Sequence, residues 1–364
     1  MSIKILHAAD LHMDSPFEGL DPVRSAQRRR EQRELFSTLP DLIKREGVQL
    51  VLLAGDLFDS GLCYYETSQS LPEVLEAMQV RVFIAPGNHD YYASSSPWSS
   101  ISFPKNVTVF RSTAIQSVTL PDLGCRVWGA AFNAPRCGGL LGGFTAPKSK
   151  LIELMVLHGD ITPGSPYGLV TEGEIAVSGL DYLALGHLHG YSGLRRSGNT
   201  FWAYPGCMEG RGFDETGRKG VILADVEKGS VDLRFVPMGG REYARREVSL
   251  TSETDVLSAL SAAITPEDGR SILRLILTGE HAGRIDTAAL AGELGERVFH
   301  LELRDNTREP RDLWDGIDDD SLRGIFLRRM RTRYDRAITE EEKRTVELAV
   351  RYALDALENR EDVL

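Results

Sequence analysis

Five short segments concentrate side chains able to bind metal ions. They are Asp10-Leu11-His12, Gly55-Asp56-Leu57-Phe58-Asp59, Gly87-Asn88-His89-Asp90, His158-Gly159-Asp160 and Gly186-His187-Leu188-His189. Asp10, His12, Asp56, Asn88, His158, His187 and His189 offer carboxylate, amide and imidazole donors. Such a mixture suits manganese, iron or zinc, whereas magnesium and calcium prefer oxygen alone. Two divalent cations on two carboxylates and neutral donors keep a surplus of about +2, which draws in a phosphate. Paired ions stand about 3.5–4 Å apart. A bridging carboxylate sets that distance naturally, and Asp56 is the candidate bridge. His89 follows a ligand-type asparagine, so a ligand at Asn88 would fix the turn and aim His89 at a leaving group. An imidazole with an ordinary pKa of about 6.5 can protonate a departing alkoxide at neutral pH. Each segment alone is commonplace, a turn or a helix cap. Together, in this order, they hold five of the eight histidines. His7, His281 and His300 read as core or surface residues without a role.

The elements between these segments explain how they could meet. Ile3 to Ala8, Val48 to Ala54 and Val80 to Ala85 read as buried strands, with helices over Arg24 to Glu46 and Glu66 to Met78. That alternation is the signature of a parallel sheet covered by helices. Further strands are expected at Arg126 to Ala131, Leu154 to His158, Tyr182 to Gly186 and Gly220 to Val226. Their closer spacing points to a partly antiparallel arrangement. In open α/β sheets the carboxyl ends of strands converge on one crevice, and four of the five segments end or follow a strand. Gly239-Gly240 marks a boundary. A small α+β region follows, with strands near Glu242 to Ser249, Ile272 to Thr278 and Val298 to Arg304, and helices near Thr254 to Ile264 and Thr287 to Leu294. Residues 310–364 read as a helical tail. Leu322, Ile325, Phe326 and Met330 share one face of its first helix. Thr339 with Glu342 makes a capping box for the second, whose stripe is Val346, Val350, Ala353 and Leu357.

The 364 residues suffice for about two domains at roughly 150 residues each. The charge is −11, from 42 Lys and Arg against 53 Asp and Glu. That excludes a generally basic nucleic-acid coat but not an enzyme whose positive field is local. No apolar run reaches the roughly 18 residues of a membrane span. Cys63, Cys125, Cys137 and Cys207 lie far apart and read as reduced thiols. The chain is expected in the cytoplasm, without a membrane association.

The ordered set resembles the calcineurin-like metallophosphoesterase superfamily, whose pattern is D-x-H, G-D, G-N-H-D, a histidine, then G-H-x-H. The resemblance implies an α/β fold, a sandwich of mixed β-sheets flanked by helices. It implies one ion on Asp10, His12, Asp56 and His189, and another on Asp56, Asn88, His158 and His187. His89 matches the catalytic histidine, with Asp90 beside it as its partner. Manganese is the first expectation for the metal, with iron or zinc behind it. A narrower likeness is to SbcD-type DNA repair exonucleases of the YhaO-like branch. It is carried by His7 to Phe17, Gly55 to Asp59 and the segment Tyr204-Pro205-Gly206-Cys207-Met208-Glu209-Gly210-Arg211. That likeness implies a nuclease domain over residues 1–240, a capping domain over 241–309 and a helical tail over 310–364. It also implies 3′-to-5′ action on DNA, a homodimer, and docking of the tail on an SbcC-like ABC-type ATPase. Archaeal and eukaryotic relatives carry a second histidine where this chain has Asp59.

Some basic residues stay open to two readings. Arg24, Arg28, Arg29, Arg30 and Arg33 make either a solvated helix face or phosphate contacts. Arg211 touches a substrate phosphate or forms a structural salt bridge. The tail arginines face solvent, DNA or an acidic partner. Two rival functions use the same residues. One is a phosphatase or phosphodiesterase for small molecules or phosphoproteins. The other is a scaffold that binds DNA or the ATPase with little catalysis.

Overall fold

The computed structural model of the chain describes residues 2–310 and 312–357. The apolar runs near the N-terminus form β1 (Ser2–Ala8), β2 (Leu50–Leu53) and β3 (Arg81–Ile84), followed by β4 (Val107–Val109). These strands lie parallel, in register Ile5 with Leu50 and Leu53 with Ile84. The next strands are β5 (Gln116–Leu120), β6 (Cys125–Gly129), β7 (Ile152–His158), β8 (Tyr182–Gly186), β9 (Arg195–Ser197) and β10 (Thr200–Ala203). They make a second six-stranded sheet in the order β5-β6-β7-β8-β10-β9. The chain then returns through β11 (Gly220–Glu227) and β12 (Ser230–Pro237), which complete the first sheet as β12-β11-β1-β2-β3-β4. Both sheets are mixed. Strand β11 runs antiparallel to β1, and β5 runs antiparallel to β6.

The two sheets pack face to face. Ile3, Ile5, Leu50, Leu52 and Phe83 of one meet Val127, Leu154, Val156 and Tyr182 of the other. The alternate residues Leu6, Ala8, Val51, Leu53 and Ile84 point outward. They are covered by α1 (Pro22–Phe36), α2 (Leu39–Glu46) and α3 (Tyr65–Ala77), through Phe36, Leu42, Ile43, Leu71 and Leu75. On the opposite side, beyond the short α4 (Pro97–Ser100), α5 (Glu172–Val177) packs Ile175 against Leu157, Leu183 and Leu185. Burial on both faces is why these strands are apolar at every position rather than at every second one. His7 is part of this core. Its ring joins the sheets through Tyr182 Oη at 2.9 Å and the Leu185 carbonyl at 3.1 Å, and burial lowers its pKa to about 3.

The single helix expected over Arg24 to Glu46 is two helices. Pro40 lacks an N–H and clashes with the preceding turn. The chain breaks before it at Ser37 and Thr38, whose hydroxyls bond back to the carbonyls of Glu34 and Leu35.

A third sheet follows, in the order β13 (Tyr243–Leu250), β14 (Ile272–Gly279), β15 (His300–Asp305), with α6 (Val256–Ala263) and α7 (Thr287–Leu294) between its strands. By contact density the chain divides into two compact units. One runs up to Arg246 and adds Ile264–Leu275 and Ala291–Glu302. The other takes Glu247–Ala263, Ile276–Leu290 and the chain from Leu303 onward. The second unit has its own core where α8 (Leu322–Arg336) meets α9 (Glu340–Leu357), through Leu327, Met330, Val350 and Leu354. The Thr339–Glu342 capping box is present. The apolar faces are rotated from the expected stripes. Leu322, Ile325 and Leu357 are exposed, and Leu327 and Leu354 take the buried places.

Candidate metal centre

All five donor-bearing segments lie in the first unit, at or just beyond the carboxyl ends of β1, β2, β3, β7 and β8. The backbone there is strained. Asp10, His12, Asp56 and His187 have φ of 52°, 45°, 51° and 115°. Side chains with a Cβ avoid this left-handed region, and such strain gathers where a site must hold an unusual geometry. Glycine is needed beside them. A methyl on Gly186 would overlap the Ala54 carbonyl oxygen, and one on Gly55 would overlap the His158 ring.

The seven expected donors converge. His12 Nε2 faces His189 Nε2 at 3.2 Å and lies 3.7 Å from Asp56 Oδ2. His158 Nε2 lies 2.9 Å from Asn88 Oδ1 and 3.4 Å from Asp56 Oδ2. His187 Nδ1 lies 3.1 Å from Asn88 Oδ1 and 3.3 Å from His158 Nε2. Asp10 sits beneath them, accepting the His187 N–H at 3.1 Å, with Oδ1 4.0 Å from both His158 Nδ1 and His189 Nε2. Asp56 therefore stands between two groups, His12 on one side and His158 with Asn88 on the other. Ligand-grade atoms of Asp10, His12 and His189, and of Asp10, Asp56 and His158, lie within 4.8 Å of one another.

The rings are held so that lone pairs face inward. His158 Nδ1 donates to the Ala54 carbonyl at 3.0 Å, which leaves Nε2 as the free donor atom. His189 Nδ1 bonds Glu215 Oε1 at 2.6 Å, and His187 Nε2 lies 3.5 Å from Asp160 Oδ2. His12 Nδ1 lies 3.1 Å from Asp59 Oδ1. Burial, ahead of the opposing pull of nearby carboxylates, lowers His12 and His187 to about 4, so both rings are neutral at pH 7. Burial raises Asp10 to about 6. Burial also works against Asp56, but His158, His12 and His89 outweigh it and hold that carboxyl below its usual range. The His12 and His189 Nε2 atoms face each other at 3.2 Å beside the buried carboxylates of Asp10 and Asp56, a mixed imidazole and carboxylate set with its ligand atoms turned to one place. The donor set therefore fits a pair of divalent cations.

His89 and Asp90 part company. The His89 ring lies 4.8 Å from the His12 ring, and its Nδ1 bonds the Asp59 carbonyl at 2.9 Å. Asp90, expected as its partner, is fully buried and turned toward the backbone. It accepts N–H groups from Gly87 at 2.7 Å and from Leu57 and Phe58 at 2.8 and 3.3 Å. Its carboxylate is placed to clamp two site loops together, because those N–H groups have no strand to bond. Arg211 reaches the site but points at protein: Nη1 bonds Asp59 at 2.7 Å and Nη2 bonds Glu215 at 3.0 Å. Of its two open readings, the salt bridge is the one the geometry displays. Of the helix arginines, Arg28 is fully buried on Glu209 at 2.6 Å, not solvated. Glu215 and the contact role of Asp59 and Asp160 escaped the sequence reading. A lone glutamate in a loop 26 residues beyond its histidine carries no spacing signal.

Comparison with known proteins identifies the family of the chain. The family model for calcineurin-like phosphoesterases matches residues 3–191, more than half of the chain. An uncharacterized metallophosphoesterase of Bacillus subtilis, YhaO, is 29% identical over 246 residues, 64% of this chain and 60% of that protein. This chain thus spans less than two thirds of that relative's length. The DNA double-strand break repair protein Mre11 of Saccharolobus solfataricus is 22% identical over 307 residues, 76% of each chain. A solved dimetal phosphatase from Danio rerio superposes with a TM-score of 0.41 at 14% identity, covering 64% of this chain and 98% of that one.

Proposed function

Because the chain belongs to the calcineurin-like phosphoesterase family, we propose that it is a two-metal phosphodiesterase that cleaves DNA, as a 3′-to-5′ exonuclease, with manganese as its working ion. The observation that carries the chemistry is the convergence of seven donors on both sides of Asp56. Similarity to a protein named for DNA double-strand break repair, over three quarters of both chains, supports DNA as the substrate.

Asp10, His12, Asp56 and His189 would hold one ion, and Asp56, Asn88, His158 and His187 the other. When bound, such ions neutralise charge on the phosphoryl oxygens and supply a nucleophile at neutral pH. The remaining work falls to the chain. The Asp59 carbonyl accepts from His89 Nδ1 and so fixes that proton, which leaves Nε2 as the atom that delivers one to the departing sugar oxygen. The Asp90 clamp keeps the loop bearing His89 in register with the loop bearing Asp56, and the His89 N–H itself bonds Asp56 Oδ1 at 2.9 Å. The exposed Leu348 and Tyr352 of α9 give the tail a surface for an ATPase partner.

A second reading has one observation in its favour. A cavity of about 610 Å³ is lined by Ile161, Leu169, Leu188, Trp202 and Tyr204, and Leu188 stands between His187 and His189 in the chain. That volume suits a small molecule, so a small phosphodiester is the rival substrate. The deciding assay compares linear duplex, single-strand and hairpin DNA with a chromogenic phosphodiester, in manganese, magnesium or chelator. Metal-dependent shortening of DNA from its 3′ ends is expected. Turnover of the small ester with DNA untouched would transfer the assignment to the rival.

A further inference from the structure

The outer nitrogens of His12 and His189 end on carboxylates that belong to different loops. His12 Nδ1 lies 3.1 Å from Asp59 Oδ1, and His189 Nδ1 lies 2.6 Å from Glu215 Oε1. One guanidinium joins these carboxylates. Arg211 Nη1 reaches Asp59 Oδ1 at 2.7 Å, and Nη2 reaches Glu215 Oε1 at 3.0 Å. The Arg211 backbone N–H also bonds Glu215 Oε2 at 2.7 Å. Across the centre the circuit closes where the two Nε2 atoms face each other at 3.2 Å. The three charged side chains are largely screened from water, at 18%, 22% and 5% exposure for Arg211, Asp59 and Glu215.

The other half of the centre is built differently. His158 is set by a backbone carbonyl, Ala54. His187 faces Asp160 at 3.5 Å. Among the described residues the Arg211 guanidinium contacts Ser15, Asp59, His189 and Glu215, and neither of these two rings.

We propose that Arg211, Asp59 and Glu215 form a positioning frame for one of the two cation sites, the one bounded by His12 and His189, and that the site bounded by Asn88, His158 and His187 stands without it. The inference rests on the reading of this cluster as a two-cation centre. The planar guanidinium fork sets the separation of two carboxylates, which a single ammonium cannot do. Glu215 hydrogen-bonds the outer nitrogen of His189 and Asp59 stands 3.1 Å from that of His12, so both outer nitrogens are turned away from the centre and both inner lone pairs converge. Drawing Arg211 away to a substrate phosphate would leave two poorly solvated carboxylates facing each other, a costly arrangement. Arg211 is therefore a positioning residue that acts through Asp59 and Glu215.

The test needs no substrate. The full-length chain is stripped of metal and titrated with Mn²⁺ alone, with calorimetry, elemental analysis and electron paramagnetic resonance as readouts. The unaltered chain is expected to take two ions and to give the signal of a spin-coupled pair. Arg211→Ala is expected to keep one ion at unchanged affinity and to weaken the other by about 10–100-fold, the usual effect of losing an outer partner of a ligand. The coupled signal should give way to that of isolated ions at Mn²⁺ levels that saturate only the tighter site. Arg211→Lys should recover little. Two ions at unchanged affinity in Arg211→Ala, or equal weakening of both sites, would overturn the frame. If Arg211→Ala fails to fold by circular dichroism, Glu215→Gln against Glu215→Ala decides. Glutamine still accepts from His189 Nδ1, so it should retain the second ion where alanine loses it, and equal behaviour of the two variants overturns the proposal. Fewer than two ions on the unaltered chain would overturn the two-cation reading and the frame with it, whereas failure to cut DNA touches neither.

Discussion

At the scale of single residues, the centre separates holding ions from moving a proton. Asp56 has an oxygen 3.7 Å from His12 Nε2 and 3.4 Å from His158 Nε2, so it faces both halves. Asp56→Ala should therefore lose both ions, and elemental analysis of the purified variant should find fewer than one per chain. His89 touches the cluster from its rim. His89→Asn should keep two ions yet lower kcat on a phosphodiester by about 10²–10⁴-fold, the usual worth of a positioned acid or base. Steady-state rates beside the metal content check this, and an unchanged rate would remove His89 from catalysis. The seven donors were legible in the sequence because their types recur at fixed local spacings such as D-x-H and H-x-H. Glu215 was not, since only the fold brings it to His189. Asp90 was placed beside His89 by adjacency in the chain, but successive residues of a turn point in different directions, and this one turned to three unpaired N–H groups.

At the scale of elements, parallel register does the gathering. Strands β1, β2 and β3 end level with one another, and His158 of β7 pairs with Gly186 of β8. The two sheets meet so closely at that edge that Gly186 has no room for a side chain against Ala54. Gly186→Ala should cost about 1–3 kcal/mol or more by overpacking and displace His187. A fall in the urea midpoint together with weaker Mn²⁺ binding would bear this out, and a stable variant with intact affinity would contradict it. The long apolar strands and most helices could be read from the sequence because burial on both faces writes an unbroken hydrophobic run. The short strands β4, β5 and β9 could not, because three to five partly exposed residues carry too little pattern, and β10 is mostly buried but only four residues long. The tail stripes were rotated for a related reason. Several apolar residues compete on each helix, and the choice of Leu354 over Leu357 is made by where α8 crosses α9.

At the scale of the whole molecule, an acidic chain of net charge −11 depends on local pairing and on bound cations for its positive field. Glu31 of α1 shows the first dependence. Burial works against its ionisation, but Arg241, Arg28 and Gln27 donate to it and bring its pKa to about 2. A carboxyl depressed in the folded state stabilises above its unfolded pKa, and that contribution is lost as pH falls through the folded value. Stability assigned to Glu31 should thus be complete above about pH 5 and fade toward pH 2. Once solvent screening is allowed for, it is on the order of 1 kcal/mol. Glu31→Gln should flatten the acid limb of urea midpoint against pH, and an unchanged limb would deny the ion pairs that role. The cations show the second dependence. Folding brings together donors that the unfolded chain scatters over 180 positions of sequence, from Asp10 to His189. Ions that bind only the gathered set stabilise the fold by about 2.7 kcal/mol per site at a concentration a hundred times the Kd. Mn²⁺ should accordingly raise the Tm by several degrees over the same chain in chelator. Asp56→Ala should show no such rise, because it lacks the carboxylate that faces both halves of the centre and so binds the ions too weakly to stabilise the fold. Differential scanning calorimetry of the two proteins, with and without Mn²⁺, makes the comparison. An equal shift in both would mean that the ion acts elsewhere on the surface and not through the carboxylate that joins the two halves.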